Sequence, residues 1–229
     1  MSKIRCLYSK TGRAKFISHL DLMATFKRSF LRAGVKLTYS EGFNPHPYIS
    51  VALPLSVGCE SVCELIDVGF SGKEFPRHIN DFLPDGLSIL EVYPPGRKFS
   101  HIKWVKVSFS VRYGENTSKY KDEKKGSAEN TEFIAESLKE LFASESLVIP
   151  KKTKSGVSEV DIMPHVNCEH IRILSDFDIE ICAVISAQNP TVSHNDFLSI
   201  IGMNRKIQTP NHFLLKRIEI YDADMIEFR

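Results

Sequence analysis

The residues best suited to chemistry in this 229-residue chain fall between positions 15 and 48. His19 directly follows Ser18, a favoured N-cap type, and Asp21 stands three residues beyond that serine, the spacing of a capping box. A helix starting there presents unbonded backbone N–H groups and the positive end of its dipole, which favour phosphate or carboxylate. Lys15, Lys27, Arg28 and Arg32 lie on the same stretch and would add attraction for an anion. Residues 40–47 hold Ser40, Gly42, Phe43, Asn44 and His46 together with Pro45 and Pro47, and Tyr39 and Tyr48 flank the stretch. Aromatic rings in such a loop can stack on unpaired bases. The pattern is that of a phosphate-binding face interleaved with aromatics. His19 and His46 allow a competing reading, because an imidazole titrates near neutrality and a pair could cleave RNA by acid–base chemistry. A second basic turn, with Lys151, Lys152 and Lys154, is followed by Asp161 and would be a secondary contact.

Other chemistries find no support. There is no phosphate-cradling G-x-x-x-x-G-K-[ST] loop, no G-x-G-x-x-G and no G-x-S-x-G elbow. The five cysteines are odd in number and scattered, so no disulfide framework is expected. Cys59 and Cys63 form a C-x3-C pair without further ligands at suitable spacing, so no metal site is expected either. The chain carries a formal net charge of +2, but its first fifty residues contain nine basic and two acidic side chains, a net of +7. A basic N-terminal segment on a mildly acidic remainder points to a localised anion-binding face, with nucleic acid the foremost candidate. No apolar run approaches the roughly 18 residues of a membrane span. The N-terminus has no signal-peptide pattern, so a cytoplasmic protein without membrane contact is expected.

The elements that would position these residues follow from periodicity and punctuation. Residues 3–9 predict a strand, 14–17 more sheet, and 19–33 a helix capped by Ser18, stapled by Ile17 and Leu22 and closed at Gly34. Strands are expected at 35–39, 48–53, 62–70 and 87–92, with a short helix at 76–83. Beyond Pro94-Pro95-Gly96 come a strand at 102–111, a polar mobile loop at 114–130 and a helix marked by Phe133, Ile134, Leu138, Leu141 and Phe142. Strands at 147–149 and 157–162, a hairpin across 171–187, a helix capped by Ser193 and a strand at 213–221 complete the chain. The expected class is α+β, as two tandem ferredoxin-like (βαββαβ) halves, residues 1–95 and 100–229.

The run Lys15 to Met23, then Arg32-Ala33-Gly34, then Tyr39 to Ser50, resembles a bacterial radical-SAM-linked (radical-SAM-associated) family, a domain of unknown function. Ala52, Pro54, Leu55, Gly58 and the stretch Glu64 to Asp67 continue the likeness, and Lys154, Glu159 to Ile162 and Pro164 match a second signature more loosely. The resemblance implies a partner, a radical-SAM enzyme encoded nearby, which would carry S-adenosylmethionine and a 4Fe-4S cluster. This chain has no C-x3-C-x2-C motif and would need no cofactor of its own. Tandem ferredoxin-like halves also look like CRISPR RNA-processing endonucleases, though the C-terminal glycine-rich loop of those proteins is missing. The expected function is an accessory module without catalysis of its own, which binds structured RNA (tRNA or rRNA) and presents it for modification. The alternatives are an RNA endonuclease using His19 and His46, or a protein–protein adaptor with no RNA contact.

Overall fold

Alternating side chains make the first strand. In β1 (Ser2–Lys10), Ile4, Cys6 and Tyr8 turn to one face and meet the helix that follows. The computed structural model describes residues 2–72, 74–113, 127–153, 156–204, 207 and 209–229. It is an α+β protein whose chain divides into two units, residues 1–102 with 216–229, and residues 103–215. The C-terminal residues 216–229, which element order assigned to the second half, cluster with the first. Among the described residues, no helix is long and apolar enough to cross a membrane.

In the first unit, α1 (His19–Arg32) begins where the capping signals predict. Leu22, Phe26 and Phe30 are buried at helical spacing, and Tyr8 meets Phe26 edge-on at 4.9 Å. Gly34 ends the helix at φ +81°, a conformation that glycine adopts without the Cβ penalty. Three further strands follow, β2 (Ile49–Val51), β3 (Glu60–Phe70) and β4 (Leu87–Tyr93). Their order is β4-β1-β3, with β2 on the far side of β3, and the pairings among these four strands are antiparallel. Three expectations fail here. Residues 12–16 form a tight 3-10 turn instead of more sheet. Residues 35–39 make only isolated bridges, because Leu37 and Tyr39 each find a single partner, in Phe70 and Pro47. The helix expected at 76–83 shrinks to a 3-10 turn at Ile79–Phe82, closed off by Pro84.

In the second unit, β5 (Trp104–Arg112) pairs antiparallel with β9 (Asp178–Ser186), and β9 with β8 (Val166–Ile173). Helix α2 (Ser127–Phe142) buries Ala135, Leu138 and Phe142 and packs on β8. Its start means that residues 127–130 are helical and not part of the loop expected at 114–130; residues 114–126 lie outside the described residues. A hairpin, β6 (Val148–Thr153) with β7 (Gly156–Asp161), makes its own two-stranded sheet. Helix α3 (His194–Met203) has a complete capping box, Ser193 with Asp196, and buries Phe197 against Phe109 at 5.3 Å. The last strand, β10 (His212–Tyr221), starts in this unit; its Lys216 and Arg217, which belong to the first unit, pair in parallel with Glu60 and Ser61 of β3.

Candidate nucleic-acid interface

The start of α1 is built as its residues suggest. The Ser18 hydroxyl accepts from the Asp21 backbone N–H at 3.2 Å and donates to the Asp21 carboxylate at 2.7 Å. His19 and Leu20 are exposed in this first turn, Leu20 at 79%. Asp21 already supplies the negative charge that a helix start attracts, which reduces the claim of this end on a phosphate. Lys15 is partly committed as well, with its ammonium 3.4 Å from the Glu60 carboxylate.

The nine basic residues of the first fifty do not all contribute to a surface. Arg5 and Lys10 are 1% exposed, and Lys3 meets Asp67 at 3.0 Å. Arg5 is clamped by Asp67 through Nε at 2.7 Å and Nη2 at 3.1 Å, and lies over the rings of Phe99 and Phe228. Burial pushes the Lys10 pKa down against the opposing pull of Glu64, and its ammonium donates to the Ile17 carbonyl at 2.8 Å. The cations left facing solvent on or after α1 are Arg28, Arg32 and Lys36, with Lys27 half-buried. Arg28 and Arg32 border an open groove of about 490 Å³ beside Ser29, Asp81 and Phe82, where the Arg32 guanidinium sits 5.8 Å from the Phe82 ring.

Residues 38–48 form a tight hairpin. The Ser40 backbone N–H donates to the His46 carbonyl at 2.9 Å, and the His46 N–H donates to the Ser40 hydroxyl at 3.0 Å. Gly42 turns the chain at φ +116°, which side-chain-bearing residues rarely adopt. The result is a held loop that leaves the whole Phe43 ring in solvent, with Asn44 and His46 exposed beside it and Tyr39 and Tyr48 at 41% and 47% exposure. Ser40 and Gly42 shape the loop; Phe43, Asn44 and His46 are what it presents.

The structure separates His19 from His46. Helix α1 begins beside the start of β3: Lys10 pairs with Ser61 in the sheet and bonds Ile17, and the Gly58 N–H donates to the Lys15 carbonyl. The hairpin hangs from the other end of β3, where Thr38 and Tyr48 both bond Gly69. Glu60 to Phe70 spans about 33 Å at roughly 3.3 Å per residue. The two histidines are therefore anchored at opposite ends of one strand.

The secondary cluster is occupied internally. The Lys151 ammonium bonds Asp196 at 3.1 Å and the Thr191 carbonyl. Asp161 accepts from the backbone N–H groups of Leu147 and Met163, each at 3.0 Å, which holds its carboxyl below the ordinary value. Lys154 and the Lys152 side chain lie outside the described residues. All five cysteines are free, and burial pushes the Cys6 and Cys63 thiols up to about 12, so neither is a ready nucleophile. Sequence reasoning missed a grouping of Glu169, His170 and Cys182, whose ligand atoms all lie within 4.8 Å of one another. Its members come from two strands of a hairpin, so no motif spacing announces them.

Fold and surface together define an α+β protein with a basic helix face and a hydrogen-bonded hairpin that exposes an aromatic ring. The chain belongs to a bacterial family: residues 3–194 match the model described as uncharacterized protein conserved in bacteria (DUF2344). Among curated proteins, none matches it. A solved structure titled "Crystal Structure of a Cbf5-Nop10-Gar1 Complex" aligns with 95% of this chain at 10% identity and a TM-score of 0.47, a likeness too slight to carry a functional reading. The chain spans about half the length of its counterpart there, covering 48% of it.

Proposed function

We propose that this protein is an accessory module that binds RNA and presents it to a radical-SAM enzyme. The observation that carries the RNA half is the hairpin of residues 38–48, which holds the whole Phe43 ring in solvent after the cationic run Arg28, Arg32 and Lys36. An exposed ring on a held loop is a stacking platform for an unpaired base, and the arginines are free to follow a phosphate backbone. The radical-SAM half rests on the resemblance of residues 15–58 to that enzyme-linked family. Each unit follows a ferredoxin-like plan in this reading, supported by the strand orders β4-β1-β3-β2 in the first and β5-β9-β8 in the second. The first unit has a 3-10 turn where the second helix of that plan would be, and the second carries the β6–β7 hairpin as an insertion. A histidine pair acting as acid and base is not favoured, because the two rings are anchored at opposite ends of β3.

The test is binding of a small-RNA pool to the protein at a series of salt concentrations. Arg28→Ala with Arg32→Ala is expected to weaken binding and to flatten the salt slope by about 1.4, at roughly 0.7 per lost single-strand phosphate contact. Phe43→Ala is expected to cost about 1–3 kcal/mol with the slope unchanged. Wild-type protein that binds no RNA at low salt would overturn the reading.

A further inference from the structure

Between Cys168 and His170 the register of β8 against β9 slips, and Glu169 is the extra residue. A bulge of this kind lets two consecutive side chains face one partner residue. Here Glu169 and His170 both face Cys182, which pairs with His170 across the ladder. The Cys182 sulfur lies 3.6 Å from Glu169 Oε2. A sulfur at about 2.3 Å and an oxygen at about 2.0–2.2 Å from one zinc ion, at a tetrahedral angle, stand about 3.5 Å apart. The spacing already in place is thus an edge of a zinc tetrahedron. The sulfur is buried, the imidazole half-buried and the carboxylate open to solvent, which gives an ion a path from one side.

We propose that Cys182, His170 and Glu169 form a zinc site, with one ion held by the thiolate sulfur, one imidazole nitrogen and one carboxylate oxygen, and a fourth position open to water. The ligand set suits the metal: one thiolate, one imidazole and one carboxylate are the three donor types that zinc takes in proteins. Lys106 on β5 supplies the competing charge. Its ammonium sits 2.7 Å from the same Glu169 oxygen and stands in for the cation when the site is empty. Metal entry displaces that ammonium from Oε2.

Binding also costs a proton. Burial pushes the Cys182 thiol up, Glu169 adds to this, Lys106 opposes it, and the Glu169 hydrogen bond and the charge of Glu180 on β9 raise it further. The Lys106 hydrogen bond holds the Glu169 carboxyl below its ordinary value, so it enters already ionised. Thiolate formation therefore releases one proton per ion bound, taken up by solvent.

The experiment is a titration of the reduced full-length chain with Co²⁺, which reports a thiolate ligand by its sulfur-to-metal charge-transfer band, followed by competition with Zn²⁺. One equivalent is expected to give the band and Zn²⁺ to abolish it. Cys182→Ser should remove the band, and His170→Ala should weaken binding by about tenfold or more. Lys106→Met keeps all three ligands and should tighten binding by about tenfold or more, a gain that a misfolded variant could not produce. Wild-type protein that shows no charge-transfer band, a band that survives Cys182→Ser, or a Lys106→Met variant that binds no tighter would overturn the proposal.

Discussion

Asp67 shows how Arg5, counted towards a basic surface in the sequence, can be part of the core. It is 3% exposed and takes Arg5 through two nitrogens, while Lys3 approaches the same carboxylate. Arg5 Nη2 donates onward to the Arg97 carbonyl at 2.8 Å, and Arg97 meets Asp222 at 2.5 Å. Removing one member of a buried pair leaves the other charge unsolvated, at a cost of about 3–5 kcal/mol. Asp67→Ala is expected to lower stability by that amount in urea unfolding; a loss below about 1 kcal/mol would mean that water reaches Arg5. None of this was legible in the sequence. Arg5 adds to the basic N-terminal count in the same way as Arg28, and only a partner 62 residues away distinguishes them. Phe43 was legible in kind but not in state, because an aromatic between Gly42 and Asn44 fits a core plug as readily as a stacking platform.

Elements with strong local signals came through, and those that depend on distant partners did not. The Ser18 and Ser193 caps and the apolar spacing of α1 are short-range features, and both helices start where these signals place them. Residues 35–39 have strand-like composition, but Leu37 and Tyr39 meet one partner each, so no ladder forms. The bulge at Glu169 is likewise set by pairing with β9 and by no residue type within β8. The turn before β4 is fixed by a close approach. A Cβ at Gly86 would stand 2.3 Å from the Thr11 carbonyl oxygen, and φ there is +87°. The same Thr11 donates its backbone N–H to the Gly86 carbonyl at 2.8 Å. Gly86→Ala is expected to cost roughly 2–4 kcal/mol in thermal or urea unfolding, combining left-handed strain with a backbone clash. Gly96→Ala is the control, since nothing lies within 4 Å of its added Cβ and no positive φ is imposed, and it should leave stability nearly unchanged.

At the scale of the molecule, the first unit is discontinuous in sequence, closed by residues 216–229 after the whole second unit has intervened. Those last residues bring Arg217, whose guanidinium bonds Glu64 at 3.0 Å and the Leu53 carbonyl at 2.9 Å, and Phe228, which lies against both Arg5 and Arg97. Glu64 is 1% exposed. A fragment ending at residue 215 would leave that carboxylate buried without its partner. Its amides in β1 and β3 are expected to lose hydrogen-exchange protection, and protection equal to that of the full chain would show that the first unit closes without its tail. This return was the least legible feature of all, because element order alone assigns the final strand to the half that precedes it. It also puts the fold on a clock. Arg217 follows Glu64 by 153 residues, so at about 5–20 residues per second the ribosome leaves that acid without its counter-ion for roughly 8–30 s. Every newly made copy passes through that interval without Ile220 and Phe228 to bury and without Arg217 for Glu64, and apolar surface left uncovered in such an interval is what chaperones bind.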